Sequence, residues 1–245
     1  MAGKHYLNEK SNMHSGHRSR LKEKFLKEGL DSLNEIQVLE MLLFYCIPQG
    51  DTNETAHALL SKYGSLSSVL DAPFESLIEC PGIGTHTATF IRTLPALCRR
   101  YRLDKIMSNK IFSDREKICR YLSAYFMDIK NEQAILMCFD AKCRLICTEK
   151  LSLPTSDFAV SISSRRVAEV SLACHANAVV LAHNHPSGMC EPSQSDISLT
   201  NEISCALRGV GVTLIEHFVI TDEQTYGILE HMAAAQEEEE DFFAY

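Results

Sequence analysis

The chain contains no long hydrophobic run, no leading apolar segment and no Cys-x-x-Cys pair. Nothing in it approaches the roughly 20 apolar residues of a membrane span, so neither a transmembrane helix nor a membrane partner is expected. The polar start MAGKHYLNEK lacks the apolar core of a secretory signal, which leaves the cytoplasm as the expected compartment. Ten cysteines are present, but they are scattered through apolar strand and helix patterns, as at Cys46, Cys98, Cys138 and Cys205, and read as buried thiols. Cys143 and Cys147, four apart in an expected strand, share one face, so a shared metal site stays open beside that reading.

At 245 residues, 45% hydrophobic and 23% charged, the composition is that of a soluble protein long enough for two modest domains. The net charge of −8 is uneven: residues 1–110 carry 14 Lys/Arg against 12 Asp/Glu, and residues 111–245 carry 10 against 20. A nucleic-acid contact therefore belongs to the first half, because the second repels phosphates.

The first half reads as short-looped helices. Leu21, Phe25 and Leu26 fall on one side of a helix closed by Gly29, and further helices are expected from about Asn34 to Cys46 and over TNETAHALLSKYG. The segment around Cys80-Pro-Gly-Ile-Gly-Thr85 reads as helix, tight turn, helix. Gly82 and Gly84 permit the turn, Ile83 packs between the helices, and the free N–H groups from Thr85 onward can face a phosphate. Arg92 is the nearest fixed positive charge. A weaker echo over Pro48–Ala56 suggests an internal duplication. Backbone binding of DNA and a plain helical scaffold both remain open for this turn.

Residues 103–113 lose helical periodicity and read as a linker. Beyond it the pattern alternates: a strand hairpin turning at Asp140-Ala141-Lys142, a helix capped by Ser163 or Ser164, and a continuous apolar strand, NAVVLAHN. A helix from about Ser195 and a returning strand, VTLIEHFVITD, complete the order β-β-α-β-α-β. The end, AAAQEEEEDFFAY, has five consecutive acids and reads as a solvated, disordered tail.

The most specific run is HNHPSGMCEPSQSD. His183 and His185, at i and i+2, project from the same side of an extended segment, and Asp196 adds a carboxylate a loop later. Two His and one carboxylate leave a fourth zinc position open, as catalytic zinc sites do. The alternative is a polar loop whose Asp196 serves as the first-turn charge of the next helix.

This run resembles the HxHP-x(6)-SxxD signature of the JAMM (MPN+) metalloproteases, and more closely the RadC branch, over nearly all of residues 15–230. The resemblance implies an α/β (α+β mixed-sheet) JAMM/MPN+ domain with cytidine-deaminase-like layers over residues 106–232. An all-α helix-hairpin-helix domain over 1–105 would precede it, and the acidic tail, 233–245, would follow. It implies one zinc ion on His183, His185 and Asp196, with Ser193 orienting water or holding the oxyanion. Glu149, in DAKCRLICTEKL, takes the place of the family's general base; a solvated strand-end carboxylate is the other reading of that residue. His217 matches a His of RadC proteins and is read as a structural hydrogen-bonder. Met189 and Cys190 depart from the usual RadC loop, and Cys190 puts a soft atom beside the metal. The implied activity is hydrolysis of a peptide or isopeptide bond in a protein substrate by zinc-activated hydroxide. The alternatives are a DNA-associated repair or recombination accessory protein, whose metal is structural or acts on nucleic acid, and an inactive interaction module.

Overall fold

In the computed structural model, residues 3–151 and 162–234 are described, with side chains from Gly16 onward. The chain forms two compact units, residues 1–98 and 99–245.

The first unit is helical: α1 (Gly3–Glu28), α2 (Glu35–Cys46), α3 (Thr52–Tyr63), α4 (Leu66–Asp71), α5 (Phe74–Ile78) and the start of α6 (Thr85–Met107). Local signals set the boundaries. Asn34 and Gln37 form a reciprocal capping box at the head of α2, while Asp51 and Ser65 cap α3 and α4. Leu39, Leu59, Leu77, Ile83, Ala88 and Ile91 meet in one buried cluster, so Ile83 packs between helices as its place in the turn requires. Leu26 departs from the expected stripe on α1. It is 81% exposed whereas Leu21 is 4% exposed, because a five-residue step turns about 140° past the Leu21 face.

The second unit contains α7 (Arg115–Phe126), β1 (Ala134–Phe139), β2 (Leu145–Lys150), α8 (Ser164–Ala173), β3 (Ala178–Asn184), α9 (Gln194–Gly209), β4 (Thr213–Ile220) and β5 (Thr225–Gly227). The mixed sheet has the order β2-β1-β3-β4-β5, with β3 and β4 parallel and the other pairs antiparallel. Helices α8 and α9 bury Val167, Val170, Ile203 and Leu207 against Leu136, Val179 and Leu181 on one face. Helix α7 buries Ile118, Tyr121, Leu122 and Phe126 against Ile135, Val180 and Ala182 on the other. The result is an α/β domain of three layers behind a helical region. Strand β3 is buried from Val179 to Asn184, which accounts for its unbroken apolar run.

Further sequence expectations give way here: Cys98 and Cys205, read as buried thiols, are exposed, whereas Cys138 is buried. The segment read as a linker from Leu103 is helical to Met107, because Leu103, Ile106 and Met107 keep a 3–4 spacing and pack on the α7-side core. Cys143 is not in a strand with Cys147. It lies exposed in the β1–β2 turn at φ 55°, a left-handed conformation that a strand residue does not take. The acidic tail from residue 235 lies outside the described residues. Among the described residues, no helix is long and apolar enough to cross a membrane.

Candidate metal centre

Strand β3 ends at the site. Alternation along it sends Val179, Leu181 and His183 toward α8 and α9, and Val180, Ala182 and Asn184 toward α7. On the α7 side, Asn184 anchors the loop ahead of β1: its Oδ1 accepts from the Gln133 amide at 2.8 Å, and its Nδ2 donates to the Ile129 and Asn131 carbonyls. That clamp on a 4% exposed Asn fixes the strand end from which both histidines project.

His185 follows the strand, its amide donating to the Ile220 carbonyl at 2.8 Å. Gly188, at φ 84°, then turns the chain so that the Met189 carbonyl accepts from His185 Nδ1 at 2.8 Å. With that proton on Nδ1, His185 Nε2 carries a bare lone pair. It lies 3.0 Å from His183 Nε2.

His183 is oriented from behind. Its Nδ1 lies 2.9 Å from His217 Nε2, and His217 Nδ1 lies 2.6 Å from the Thr200 hydroxyl, which donates to the Asp196 carbonyl at 2.6 Å. A carbonyl only accepts, so with the Thr200 proton directed there the other protons fall in one order. His217 Nδ1–H donates to Thr200, His183 Nδ1–H donates to His217 Nε2, and His183 Nε2 is left bare toward the site. Burial pushes the His183 pKa down to about 4, Asp196 opposing and His185 adding to the effect. Burial, assisted by the two neighbouring imidazoles, also holds His217 well below the ordinary histidine range. Both rings are neutral at pH 7.

Asp196 divides its carboxylate. Ser193 caps α9, and Asp196 Oδ2 accepts from the Ser193 amide at 2.8 Å and its hydroxyl at 2.5 Å. Oδ1 faces His183 Nε2 at 3.5 Å. The Asp is thus both the first-turn carboxylate of a helix and the third member of the cluster. Ser193 Oγ is engaged with Asp196 and with Ser195 Oγ at 2.6 Å, a positioning contact that the motif did not reveal.

His183, His185 and Asp196 therefore bring three potential ligand atoms within 4.8 Å of one another. Two bare imidazole nitrogens and a carboxylate oxygen are all acceptors, a donor set that suits a cation. Zn–N and Zn–O bonds of about 2.0–2.1 Å would place tetrahedral ligand atoms about 3.3 Å apart, close to the 3.0 and 3.5 Å found. Cys190 is directed elsewhere, its thiol donating to the Val219 carbonyl at 3.7 Å.

Glu149 is not in direct contact with this cluster. It pairs across β1 with Leu136, and Ala134 of β1 pairs with His183, so Glu149 lies on the same sheet face two strands away. Sheet spacings put the two Cα atoms about 12 Å apart, enough to admit a substrate between them. Of the other upstream acids, Glu169 is bonded to Arg165 at 2.8 Å, and Glu132 precedes β1 on the exposed surface. Sequence reasoning missed Thr200 and Asn184. Thr200 lies one helical turn after Asp196, the only sequence signal it has.

In the first unit, Gly82 adopts φ 83°, and a Cβ there would meet Thr55 Oγ1 at 2.9 Å, so the turn seats closely on α3. Gly84 and Thr85 are exposed at the head of α6. Arg92 is half-buried and donates to the Leu70 carbonyl at 2.9 Å, tying α6 to α4.

A RadC-like JAB domain profile matches residues 112–233. A UPF0758 protein of Fusobacterium nucleatum is 35% identical over 231 residues, covering 91% of this chain and 98% of the relative. Another from Ruegeria pomeroyi is 35% identical over 204 residues, covering 83% and 91%, and one from Marinomonas is 32% identical over 209 residues, covering 85% and 93%. With identity at this level along most of its length, the chain belongs to the RadC family.

Proposed function

We propose that the protein is a zinc-dependent hydrolase of peptide or isopeptide bonds, with the ion held by His183, His185 and Asp196. The observation that carries this reading is the convergence of three acceptor atoms, each fixed from behind by a protein partner. Zinc bound there supplies acidity to a water molecule and polarises a carbonyl. The protein's own part is positional. The His217–Thr200 relay keeps His183 Nε2 deprotonated, the Met189 carbonyl does the same for His185, and Ser193 holds Asp196. Glu149, on the same sheet face, is the group assigned to accept a proton from the attacking water and return it to the leaving amine. A protein substrate fits this site better than a nucleic acid, because residues 111–245 carry 10 Lys/Arg against 20 Asp/Glu and repel phosphates.

The test combines elemental analysis with turnover on peptide and isopeptide-linked substrates. About one zinc per chain is expected, lost in Asp196→Ala and in the His183→Ala, His185→Ala double variant. Glu149→Gln should keep the zinc and lose roughly 10²-fold or more in turnover. Full zinc with full activity in Glu149→Gln would move the base elsewhere, and zinc that survives the double His change would overturn the site.

A second role, DNA backbone binding by the Gly82–Thr85 turn, is favoured by one observation: apart from its own chain neighbours, nothing lies within 4 Å of where a Gly84 Cβ would stand, leaving the head of α6 open to a phosphate.

A further inference from the structure

We propose that Cys138, Cys147 and Cys174 form a second metal site, built of thiolates alone, that takes a soft cation of the Cu(I) class. The three sulfurs come from separate elements and converge. Cys138 on β1 and Cys147 on β2 are direct cross-strand partners on the sheet face that packs against α8, and Cys174 is the C-cap residue of α8. Their Sγ atoms lie within 4.8 Å of one another, with Cys147 and Cys174 at 2.8 Å.

The floor of the cluster is closed and its mouth is open: Cys138 is fully buried, while Cys147 and Cys174 are half-buried. Metal–sulfur bonds of about 2.3 Å require sulfurs about 3.8–4.0 Å apart. The 2.8 Å pair would therefore have to open by about 1 Å on binding, through rotation of the half-buried Cys147 and Cys174 side chains. Thiolates select Cu(I), zinc and iron–sulfur clusters over hard cations. Structural zinc is almost always four-coordinate, and among the described residues the cluster offers only three ligand atoms, so low-coordinate Cu(I) is the better match.

Binding involves no electron transfer: each S–H that becomes S–Cu releases one proton to solvent. Burial raises the Cys138 and Cys147 thiol pKa values, Cys147 to about 11, so affinity should rise with pH. The same protonation makes Cys138 and Cys147 slow nucleophiles, which argues against a peroxide-sensing pair. The proposal shares no ligand with the His–Asp cluster and does not depend on it.

The experiment titrates Cu(I) anaerobically into the reduced, metal-free full chain against a Cu(I)-selective chromophoric chelator. One tight Cu(I) per chain is expected, with three sulfur neighbours by X-ray absorption. Cys147→Ala and Cys174→Ala, at half-buried positions where folding is easily checked by circular dichroism, should each weaken binding at least 100-fold. Cys143→Ala and Cys205→Ala, exposed cysteines outside the cluster, should leave it unchanged, and so should the His183→Ala, His185→Ala variant. Equal Cu(I) affinity in all cysteine variants would overturn the proposal. So would peptide mapping that finds a Cys147–Cys174 disulfide formed in place of a bound ion.

Discussion

His217 Nε2 lies 2.9 Å from His183 Nδ1, and both residues are buried. The contact ties a residue of β4 to a candidate ligand on β3, and Thr200 of α9 closes the relay. Outer partners of this kind typically contribute 10–100-fold to metal affinity. Thr200→Val keeps the shape and removes the acceptor for His217 Nδ1–H, so zinc affinity should fall by about that factor while Thr200→Ser retains most of it. Competition with a chromophoric chelator measures both. Equal affinities would mean that the relay does not set the His183 tautomer.

The difference between His183 and Thr200 explains what could be read from the sequence. His183, His185 and Asp196 are legible because one strand end and one helix cap place them within fourteen residues, so spacing alone reports geometry. Thr200 meets His217 only because β3 and β4 pair in parallel with α9 between them, and that proximity has no local spacing. Leu26 and Cys143 depart from the sequence reading for local reasons: a five-residue step carries Leu26 off the buried face of α1, and Cys143 belongs to the turn ahead of β2 rather than to the strand. The layered α/β fold was legible from alternating element types and from the RadC resemblance. The division of Asp196 between cap and cluster was not, because each role alone accounts for an acid at that position.

Ser193 offers a sharper separation of roles. Its hydroxyl contacts the Asp196 amide and Oδ2. Ser193→Ala should cost about 1 kcal/mol as a lost helix cap, a fall of a few degrees in Tm for a domain of this size. Zinc affinity should drop by roughly 10-fold, since the Ser193 amide still holds Oδ2. Unchanged affinity with a large loss of turnover would instead place the hydroxyl on the reacting groups, the role that the family resemblance implies.

The buried imidazoles also predict how the metal-free protein responds to acid. An unfolded histidine titrates near 6.5, whereas burial pushes folded His183 down to about 4 and holds His217 well below its ordinary range. Between those values the unfolded chain binds more protons than the folded one, so stability is retained above pH 6.5 and lost as pH falls toward 4. For His183 alone the loss reaches roughly 3 kcal/mol at the bottom of that window. Urea unfolding of the zinc-stripped protein at pH 7, 6 and 5, above the range where most carboxylates titrate, should give a falling midpoint. A flat profile would mean that the rings are charged or solvated in the folded state.

The helical unit makes a different demand, because the residue that sequence reasoning favoured as its DNA contact is occupied. Arg92 donates to the Leu70 carbonyl, so Arg92→Glu would report on the packing of α4 against α6 rather than on a ligand. Gly84 is the cleaner probe: space is open around it, and an Asp there places a negative charge at the head of α6. If the turn grips phosphates, Gly84→Asp should weaken DNA binding by the full chain at least 10-fold with no fall in Tm, since an acid at a helix N-terminus is not destabilising. Wild-type affinity should fall steeply with salt and ignore sequence, because phosphate neutralisation releases counterions. Fluorescence anisotropy with duplex and single-stranded oligonucleotides at 50 and 200 mM salt (about the range over which such contacts lose most of their affinity) tests this. Equal binding by wild type and Gly84→Asp would leave the turn as scaffold and place the protein's chemistry in the second unit alone.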